Sequence, residues 1–487
     1  MLLLSTQDSA LRTWKIRRPS VKIPVSARGA FVHMATEKKK VGMISLGCPK
    51  NLVDSEVMMG LLARSGYELT TESESADVLV VNTCGFIESA RQESVNTILE
   101  MAQLKQTGNL KRLIVAGCLV ERYRDELRRE IPEIDACIGV NQIEDILDVA
   151  ESGGRRRLPV YSDGASAPEL YLYDETTPRL RATAPYTAYV KIAEGCDHTC
   201  AFCIIPRLRG SFRSRSPESI IKEVEMLAAQ GVKEIVLISQ DTTSYGSDLA
   251  LGREGLARLV ERLADVKGVE WVRFLYCYPT NITDGLLDVM RERENVCNYF
   301  DIPLQHVSHR VLARMRRGGG RASYERMLRR IRERVPNVTV RTTFITGFPG
   351  EREEDFEELV DFVRAAKFDN VGVFTYSDEE NSAAIALDEK VAPQVAERRG
   401  ERLMKEQARI VRRKNRGMVG RRLRVLLEGK SKQSDLLLEG RAESQAPEID
   451  GSILINDMPE GSEARPGDFV TVEITEALDY DLVGRIV

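Results

Sequence analysis

Short apolar runs alternate with longer amphipathic segments through most of this 487-residue chain. The first series fills residues 40–150, with apolar runs at 41–46, 77–81, 112–116 and 135–139, each followed by a segment of helical periodicity. Strands that alternate with helices of about 10 to 15 residues pair in parallel. The sequence therefore predicts an α/β fold that begins with a parallel α/β domain at 40–150.

A second β/α series is predicted over residues 186–417. A complete barrel of this kind needs about eight β/α units. This chain offers six, so we expect an open, partial (β/α)6 barrel. Between the two series, residues 151–185 lose the periodicity and collect glycines and prolines, which indicates a linker. The six strands are expected at 189–192, 234–238, 271–276, 299–302, 340–345 and 370–376.

The C-terminal part of the chain departs from this alternation. Residues 391–422 hold 11 Lys or Arg against three Glu and predict a strongly basic helix. The final segment, 418–487, has short alternating runs at 423–427, 452–455 and 469–474. Short strands separated by turn residues indicate a small β-barrel.

The first 39 residues are predicted to lie outside the fold. Residues 1–33 contain six Lys or Arg against one acid, Asp8, and show no regular period. Such a segment is either an organelle-targeting peptide, which is basic and poor in acids, or an extension upstream of a reading frame that starts at Met34. We favour the second interpretation, because serines are few and residues 34–37 form a short polar lead into the first strand.

The overall composition is that of a soluble globular protein. Lys and Arg number 70 against 74 Asp and Glu, a net charge of −4. No apolar run approaches the roughly 18 to 20 residues of a membrane span, so we expect no membrane association. Nine cysteines are an odd number in a long chain without a secretory signal. Bound metal is therefore favoured over disulfides, and we expect the chain to be cytoplasmic.

Three cysteines, Cys196, Cys200 and Cys203, form a C-x-x-x-C-x-x-C run directly after the first predicted barrel strand. Thiolates this close on one loop favour zinc or an iron–sulfur cluster. Zinc with His198 as fourth ligand is one interpretation. We favour the cluster, because β/α barrels place active sites at the carboxyl ends of their strands. With three thiolates, one iron of a four-iron cluster stays open for a small chelating ligand.

Cys48, Cys84 and Cys118 each follow a different predicted strand of the first domain, and each stands beside a glycine. The carboxyl ends of parallel strands lie at one edge of a sheet, where ligands bind. We therefore expect these three thiols to meet in space and to hold a second metal centre. The alternative, which is the stronger one for any single cysteine, is a small buried hydrophobic residue.

The remaining cysteines, Cys137, Cys277 and Cys297, are expected to be core thiols, because they lie in or near apolar runs without ligand spacing. His306 and His309 lie close to the end of a predicted barrel strand. Two histidines three positions apart at a helix start are more often capping or surface residues. We assign them no role.

Taken together, several motifs resemble the radical SAM methylthiotransferases, and within that family the RimO type. The segment after Cys48 typically reads differently in the tRNA-modifying MiaB branch. The resemblance covers the chain from about residue 40 to its last residue. The matching segments are 45–56, 189–215, 301–306, 345–351 and 446–451.

This resemblance implies an N-terminal methylthiotransferase domain at 40–150, a central radical SAM partial barrel at 186–417 and a C-terminal TRAM barrel at 418–487. It also implies S-adenosylmethionine as a cofactor, with Phe202 and Gly347 as neighbours of its adenine. Two [4Fe-4S] clusters are implied, the first on Cys196, Cys200 and Cys203 and the second, auxiliary one on Cys48, Cys84 and Cys118.

The implied reaction is methylthiolation of the β-carbon of an aspartate in small-subunit ribosomal protein twelve, which gives 3-methylthioaspartate. Cleavage of S-adenosylmethionine at the first cluster yields the radical that removes the β-hydrogen. The auxiliary cluster carries the sulfur, and a further S-adenosylmethionine donates the methyl group. No His or carboxylate is assigned as acid or base. The implied partners are the ribosomal protein, free or in the ribosome, and an electron donor such as flavodoxin or ferredoxin; the chain is expected to be a monomer.

Charge offers a test against the nearest alternative, a tRNA methylthiotransferase of the same fold. Residues 425–487 carry five Lys or Arg against fourteen Asp or Glu, a net charge of −9. Such a barrel would repel phosphate and suits a basic ribosomal protein. We expect a docking face that includes Glu448, Asp450, Asp457 and Glu460. A second alternative is a non-catalytic iron–sulfur electron carrier or sensor. It is disfavoured because pure carriers usually complete the fourth cluster ligand with protein.

Overall fold

The computed structural model describes residues 38–152, 171–461 and 463–487. The predicted N-terminal extension therefore lies outside the described residues except for its last two, and most of the predicted linker lies outside them as well. Two compact units are present. The first comprises the described residues up to Ala182 together with Arg207–Gly210, and the second comprises Thr183–Pro206 and Ser211–Val487.

The first unit is built on a five-stranded parallel sheet. Its strands are β1 (Lys40–Ser45), β2 (Glu68–Thr70), β3 (Val78–Thr83), β4 (Arg112–Gly117) and β5 (Ala136–Ile138). Its helices are α1 (Pro49–Arg64), α2 (Glu88–Ala102), α3 (Leu104–Thr107), α4 (Cys118–Glu130) and α5 (Ile146–Ser152). The strand order is β2-β1-β3-β4-β5, and every pair is parallel. The predicted parallel α/β domain is confirmed.

The central strands of this sheet are apolar almost throughout, as strands covered on both faces are. All six residues of β3 are buried. Leu79 and Val81 from β3 pack with Ile98 of α2 and Leu119 of α4 in one core cluster. In the described part of the predicted linker, Arg179 pairs with the buried carboxylate of Glu56 on α1 at 2.6 Å.

The second unit begins with an open barrel of parallel strands. Its strands are β6 (Thr187–Lys191), β7 (Ala193–Glu194), β8 (Arg213–Ser214), β9 (Glu234–Ile238), β10 (Trp271–Phe274), β11 (Tyr299–Asp301), β12 (Thr339–Thr346) and β13 (Asn370–Thr375). Its helices are α6 (Ile205–Arg209, which ends in the first unit), α7 (Pro217–Ala229), α8 (Gly255–Ala264), α9 (Asp284–Glu292), α10 (His309–Arg314), α11 (Arg321–Arg334), α12 (Glu353–Ala366) and α13 (Pro393–Arg416).

Six of these strands form two parallel sheets, in the orders β10-β9-β6 and β11-β12-β13, while β7 and β8 form a separate antiparallel pair. A bridge between Val272 and Val296 joins β10 to the residues that lead into β11. The predicted partial (β/α)6 barrel is confirmed. The third strand stops at Phe274, two residues before its predicted end, where Tyr276 adopts a positive φ of 62° that a regular strand excludes.

The C-terminal segment closes into a five-stranded barrel, as predicted. Its strands are β14 (Arg422–Lys430), β15 (Leu438–Ala442), β16 (Ile453–Asp457), β17 (Phe469–Ala477) and β18 (Leu482–Ile486), in the order β14-β15-β16-β18-β17. The sequence pattern predicted three of these and missed β15 and β18. The basic helix is α13, which is shorter than predicted. None of the described helices is long and apolar enough to cross a membrane.

The C-terminal barrel contacts the strands of the open barrel through buried polar side chains. Asp450 accepts a hydrogen bond from the hydroxyl of Tyr299 at 2.7 Å and pairs with Arg341 at 2.9 Å. Its carboxylate is 1% exposed. Glu448 accepts a hydrogen bond from the buried Tyr189 at 3.2 Å. The expectation that Asp450 belongs to an exposed docking face is therefore wrong, because its charge is used inside the second unit.

Candidate functional site

Cys48, Cys84 and Cys118 lie at one edge of the sheet in the first unit. Cys48 is the N-cap of α1 and follows β1, Cys84 follows β3, and Cys118 is the first residue of α4 and follows β4. These three strands are adjacent and parallel, so their carboxyl ends lie side by side at one edge of the sheet. The structure therefore brings together the three positions that the sequence predicted to meet.

The glycines beside these cysteines let the three loops approach closely. Gly47 has a φ of +88°, and a Cβ built on it would lie 2.7 Å from the Cβ of Cys84. A Cβ on Gly85 would lie 2.8 Å from the carbonyl oxygen of Cys118. Neither approach leaves room for a larger residue. The Cys48, Cys84 and Cys118 loops are thus packed against one another.

Asn51, on the first turn of α1, connects the same loops. Its side-chain nitrogen donates to the carbonyl oxygens of Leu46 at 3.1 Å and Thr83 at 2.9 Å. Its side-chain oxygen, Oδ1, accepts a hydrogen bond from the thiol of Cys118 at 3.7 Å. A buried amide that meets groups on three strand ends fixes their spacing. Asn51 was not among the site residues predicted from the sequence.

Arg209 is a second residue of this site that was not predicted from the sequence. Its guanidinium is buried and donates through Nη2 to Asn51 at 2.6 Å, to the carboxylate of Asp54 at 3.1 Å and to the Sγ of Cys118 at 3.7 Å. Asp54 lies 155 positions earlier in the chain. No local pattern in the sequence marks a contact of that span.

Burial changes the ionisation of two thiols in this group. Burial, reinforced by the neighbouring thiols of Cys118 and Cys48, raises the pKa of Cys84 to about 12. Burial also raises the pKa of Cys118, and the charge of Arg209 opposes that rise. A bound metal centre stabilises the thiolate forms that burial disfavours.

The second group of cysteines lies on the loop that follows β6 and β7. Backbone contacts fix this loop on both sides: the amide of Ala201 donates to the carbonyl oxygen of Met315, and the amide of Ala384 donates to the carbonyl oxygen of Ala201, both at 2.8 Å. The carboxylate of Asp197 accepts from the amide of Phe212 at 2.9 Å. The loop that carries Cys196, Cys200 and Cys203 is therefore held at the carboxyl end of a barrel strand.

A guanidinium also lies beside this second group. Arg317 donates through Nη1 to the Sγ of Cys200 at 3.4 Å and through Nη2 to the carbonyl oxygen of Pro303 at 2.8 Å. Burial raises the pKa of Cys196 to about 11 and that of Cys203 to about 12. As in the first unit, these buried thiols need a nearby positive charge in order to ionise.

His198, the alternative zinc ligand, is held by residues at two other strand ends. Its Nε2 lies 2.7 Å from the carboxylate of Asp241, and its ring stacks on Tyr278 with centroids 3.8 Å apart. Burial would raise the pKa of Asp241, but hydrogen bonds from His198, Ser244 and Thr243 hold that pKa below its usual range. The carboxylate is therefore ionised and fixes the His198 ring.

Phe202 and Gly347 occupy neighbouring parts of the second unit. Phe202 is partly buried, and its ring meets the ring of Phe348 edge to face with centroids 6.4 Å apart. Gly347 has a φ of +76°, and a Cβ there would collide with Ala396 of α13. Its amide donates to the carboxylate of Glu351. Packing against α13 is thus one reason for glycine at this position.

Most of the remaining candidates are core residues. Cys137, Cys277 and Cys297 are all buried, as expected. His306 is fully buried, which differs from the expected capping or surface position, and its Nδ1 accepts a hydrogen bond from the amide of Ser308 at 3.0 Å. His309 is exposed at the start of α10, as expected. Within the described residues, no group of three or more His, Cys, Asp or Glu is arranged to hold a metal ion. The thiolate ligands of a four-iron cluster sit on different iron atoms, so they need not converge on a single point.

Three family models match successive parts of the chain. Residues 40–139 match Uncharacterized protein family UPF0004, residues 190–363 match the Radical SAM superfamily, and residues 419–487 match the TRAM domain. Among similar proteins, the ribosomal protein uS12 methylthiotransferase RimO of Solibacter usitatus is 54% identical over 449 residues, which cover 92% of this chain and 94% of that protein. The chain belongs to the RimO methylthiotransferase family.

Other RimO proteins agree with this assignment. The one from Koribacter versatilis is 51% identical over 489 residues, with 93% of this chain and 97% of that protein covered. The one from Symbiobacterium thermophilum is 50% identical over 469 residues, with 96% and 94% covered. RimO proteins belong to the radical SAM superfamily, whose cofactors are a [4Fe-4S] cluster and S-adenosylmethionine.

A more distant likeness concerns the fold alone. The radical S-adenosylmethionine methyltransferase TsrM of Kitasatospora setae, solved with cobalamin and a [4Fe-4S] cluster bound, has a TM-score of 0.52 and 14% identity. The alignment covers 72% of this chain and 74% of TsrM. A second TsrM structure, with tryptophan and an analogue of S-adenosylmethionine, has a TM-score of 0.50 and 15% identity over 69% of this chain and 73% of TsrM. The chain thus shares its fold with an enzyme of dissimilar sequence.

Proposed function

We propose that this chain is a radical SAM methylthiotransferase that modifies ribosomal protein uS12, the protein named in its RimO relatives. The modified group would be the β-carbon of an aspartate, converted to 3-methylthioaspartate. The observation that carries this proposal is the presence of two groups of three thiols in one chain. One group lies at the carboxyl ends of three parallel strands, and the other lies on the single loop that follows β6 and β7. An iron–sulfur protein that only carries electrons has no use for two incomplete ligand sets.

Cys196, Cys200 and Cys203 would hold the first [4Fe-4S] cluster. Their donor set fits, since thiolate sulfur suits iron–sulfur clusters, and the guanidinium of Arg317 lies 3.4 Å from the Sγ of Cys200. When bound, this cluster and S-adenosylmethionine supply the one-electron chemistry that removes a hydrogen atom from carbon.

The protein's own groups shape that site. The cation of Arg317 offsets negative charge at Cys200, while Asp241 and Tyr278 fix the ring of His198 within the cysteine loop. Phe202 and Phe348, whose rings meet edge to face, would provide an apolar wall that excludes water. Phe202 and Gly347 would lie near the adenine of S-adenosylmethionine.

Cys48, Cys84 and Cys118 would hold a second, auxiliary [4Fe-4S] cluster that carries the sulfur to be inserted. Support comes from the shared sheet edge and from the close packing of the loops at Gly47 and Gly85. Three protein thiolates leave one coordination position for a sulfur ligand. We assign no His or carboxylate as an acid or base, because the task of these residues is to position the reacting groups.

Three domains would divide these tasks. The predicted boundaries, 40–150 for the auxiliary-cluster domain, 186–417 for the radical SAM domain and 418–487 for the TRAM domain, stay predictions. So do an electron donor such as flavodoxin or ferredoxin, a monomeric state and a cytoplasmic location. The substrate would be the ribosomal protein, either free or in the assembled ribosome.

The charge of the TRAM barrel supports a protein substrate over tRNA. Its exposed acids include Asp435, Asp457, Glu460 and Glu476. A negative surface attracts a basic ribosomal protein and repels the phosphates of RNA. The docking face is therefore proposed on these exposed acids. It no longer includes Asp450, which pairs with Arg341, or Glu448, which accepts a hydrogen bond from Tyr189.

Mass spectrometry tests the proposal directly. Ribosomal protein uS12 and bulk tRNA would be isolated from cells with and without the gene for this chain. We expect a methylthio group on the uS12 aspartate only when the gene is present, and tRNA that is the same in both strains. A methylthio group that depends on the gene in tRNA and is absent from uS12 would replace this function with the tRNA alternative.

A further inference from the structure

Arg209 brings a positive charge into the group formed by Cys48, Cys84 and Cys118. The residue is 2% exposed, and its Nη2 lies 3.7 Å from the Sγ of Cys118. An arginine remains protonated when it is buried. A permanent cation therefore lies within hydrogen-bonding range of a thiol in this group.

Two neighbours fix the direction of this guanidinium. Asn51 accepts from the same Nη2 at 2.6 Å, and its side chain is itself held by the carbonyl oxygens of Leu46 and Thr83. Asp54 accepts at 3.1 Å and is 6% exposed. Asn51 also contacts the Cys118 thiol. A shift of Arg209 would therefore change the positions of both the Asn51 amide and the Cys118 sulfur.

We infer that Arg209 is a positioning residue for the auxiliary cluster: it orients Cys118 and raises the reduction potential of the cluster that Cys118 would bind. This inference rests on the proposed function, since it requires a cluster on Cys48, Cys84 and Cys118. Neither the names of the related proteins nor the signature motifs assign a role to Arg209.

The electrostatic reason is simple. Reduction adds one electron to the cluster, breaks no bond and makes the site more negative by one charge. A nearby cation stabilises the more negative form, and the effect is large where water is excluded. Asp54 acts in the opposite sense, because its carboxylate opposes added negative charge. The two side chains should therefore shift the potential in opposite directions.

A purely structural role for Arg209 would be to tie its segment to α1 through Asp54. That role makes a different prediction, because loss of either partner would then have the same consequence. Opposite shifts on removal of the two charges distinguish electrostatic tuning from simple anchoring.

Redox titration of the reconstituted full-length protein tests the inference. Dithionite would supply the electrons, and electron paramagnetic resonance would follow the two clusters separately. Arg209→Gln removes the charge but keeps a polar side chain, Arg209→Lys keeps the charge, and Asp54→Asn removes the opposing charge. Arg207→Gln is the matched control, because Arg207 lies on the same short helix and is exposed.

We expect the auxiliary potential to fall in Arg209→Gln, to fall less in Arg209→Lys and to rise in Asp54→Asn. The potential of the first cluster serves as an internal reference and should stay constant, as should both potentials in Arg207→Gln. An unchanged auxiliary potential in Arg209→Gln, or shifts of the same sign in Arg209→Gln and Asp54→Asn, would overturn the inference. If Arg209→Gln fails to assemble the cluster, the Asp54→Asn variant tests the inference. A higher auxiliary potential in Asp54→Asn supports electrostatic tuning, and an unchanged potential overturns it.

Failure of this inference can be told apart from failure of the proposed function. An unaltered protein that holds one cluster contradicts the proposed function, whatever Arg209 does. An unaltered protein that holds two clusters, with an auxiliary potential insensitive to Arg209, contradicts only the role given to this residue.

Discussion

Arg441 of the C-terminal barrel donates a 2.6 Å hydrogen bond to the carboxylate of Glu234, the first residue of β9, across 207 positions of sequence. Arg273 donates to the same carboxylate at 3.1 Å. All three side chains are almost completely buried. A carboxylate shared between two guanidiniums thus joins the C-terminal barrel to the open barrel.

Stability should depend on this carboxylate at low pH. Burial alone would raise the pKa of Glu234, but Arg441 and Arg273 lower it to about 2. Because the folded pKa is lower than the ordinary value of about 4.5, the stabilisation is present above pH 4.5 and is lost as the pH falls from 4.5 towards 2.

We expect Glu234→Gln to lower the free energy of unfolding by about 3 to 5 kcal/mol at neutral pH, because two buried cations lose their partner. It should also flatten the pH dependence. Urea unfolding of the cluster-free protein between about pH 3.5 and 6 measures both effects. Equal pH slopes for Glu234→Gln and the unaltered chain would show that Glu234 does not titrate as described.

Asp241 should stabilise the first cluster through His198. Groups that orient metal ligands typically change metal affinity by about 10- to 100-fold. Asp241 acts less directly, because His198 is not a ligand but lies on the loop of the three cysteines. We therefore expect Asp241→Ala to release iron to a chelator faster by a factor near the lower end of this range. Asp265→Ala, at an exposed carboxylate, should release iron at the normal rate. Identical rates for both variants would mean that the cysteine loop keeps its geometry without Asp241.

Gly347 should be required mainly for packing. The new Cβ of Gly347→Ala would meet Ala396 and adopt an unfavourable positive φ, so we expect a loss of about 1 to 3 kcal/mol of stability. Adding Ala396→Gly should restore part of that loss by removing the collision. Thermal unfolding measures the change in stability, and equilibrium binding measures affinity for S-adenosylmethionine. Weaker binding with unchanged stability would instead place the importance of Gly347 at the cofactor.

The exposed acids of the TRAM barrel should speed encounter with uS12. Reversing Asp435, Asp457, Glu460 and Glu476 to lysine should lower kcat/KM by about tenfold at low salt, and less at high salt. Both iron–sulfur clusters should remain intact. The matching Asn and Gln variants should show an intermediate loss. A loss that does not change with salt would point to a contact other than charge attraction.

The fold was largely predictable because its strands are local patterns. β3 and β9 contain uninterrupted apolar runs, at Val78–Val81 and Ile235–Ile238, and such runs identify buried parallel strands without knowledge of their partners. β15 and β18 were missed because Gly440 and Gly484 interrupt their apolar pattern. In the closed barrel these glycines allow close packing, since a Cβ at either would crowd the neighbouring strand.

At the site, too, features set by local sequence could be predicted and features set by tertiary packing could not. The shared edge of Cys48, Cys84 and Cys118 could be predicted, because parallel topology places the ends of adjacent strands together. Arg209 and Asp241 could not, because their partners are set by tertiary packing over long stretches of sequence. Asp450 was misassigned for the same reason: a negative charge count cannot separate an exposed acid from one that pairs with Arg341.

The central claim is that two separate groups of three cysteines each hold a cluster. Iron and sulfide analysis of anaerobically reconstituted protein tests it most directly. We predict about eight iron atoms per chain in the unaltered protein and in Cys137→Ala, and about four after Cys48, Cys84 and Cys118 are all changed to Ala, with uS12 then left without the methylthio group. About four iron atoms in the unaltered protein, or undiminished methylthiolation by the triple variant, would contradict the account.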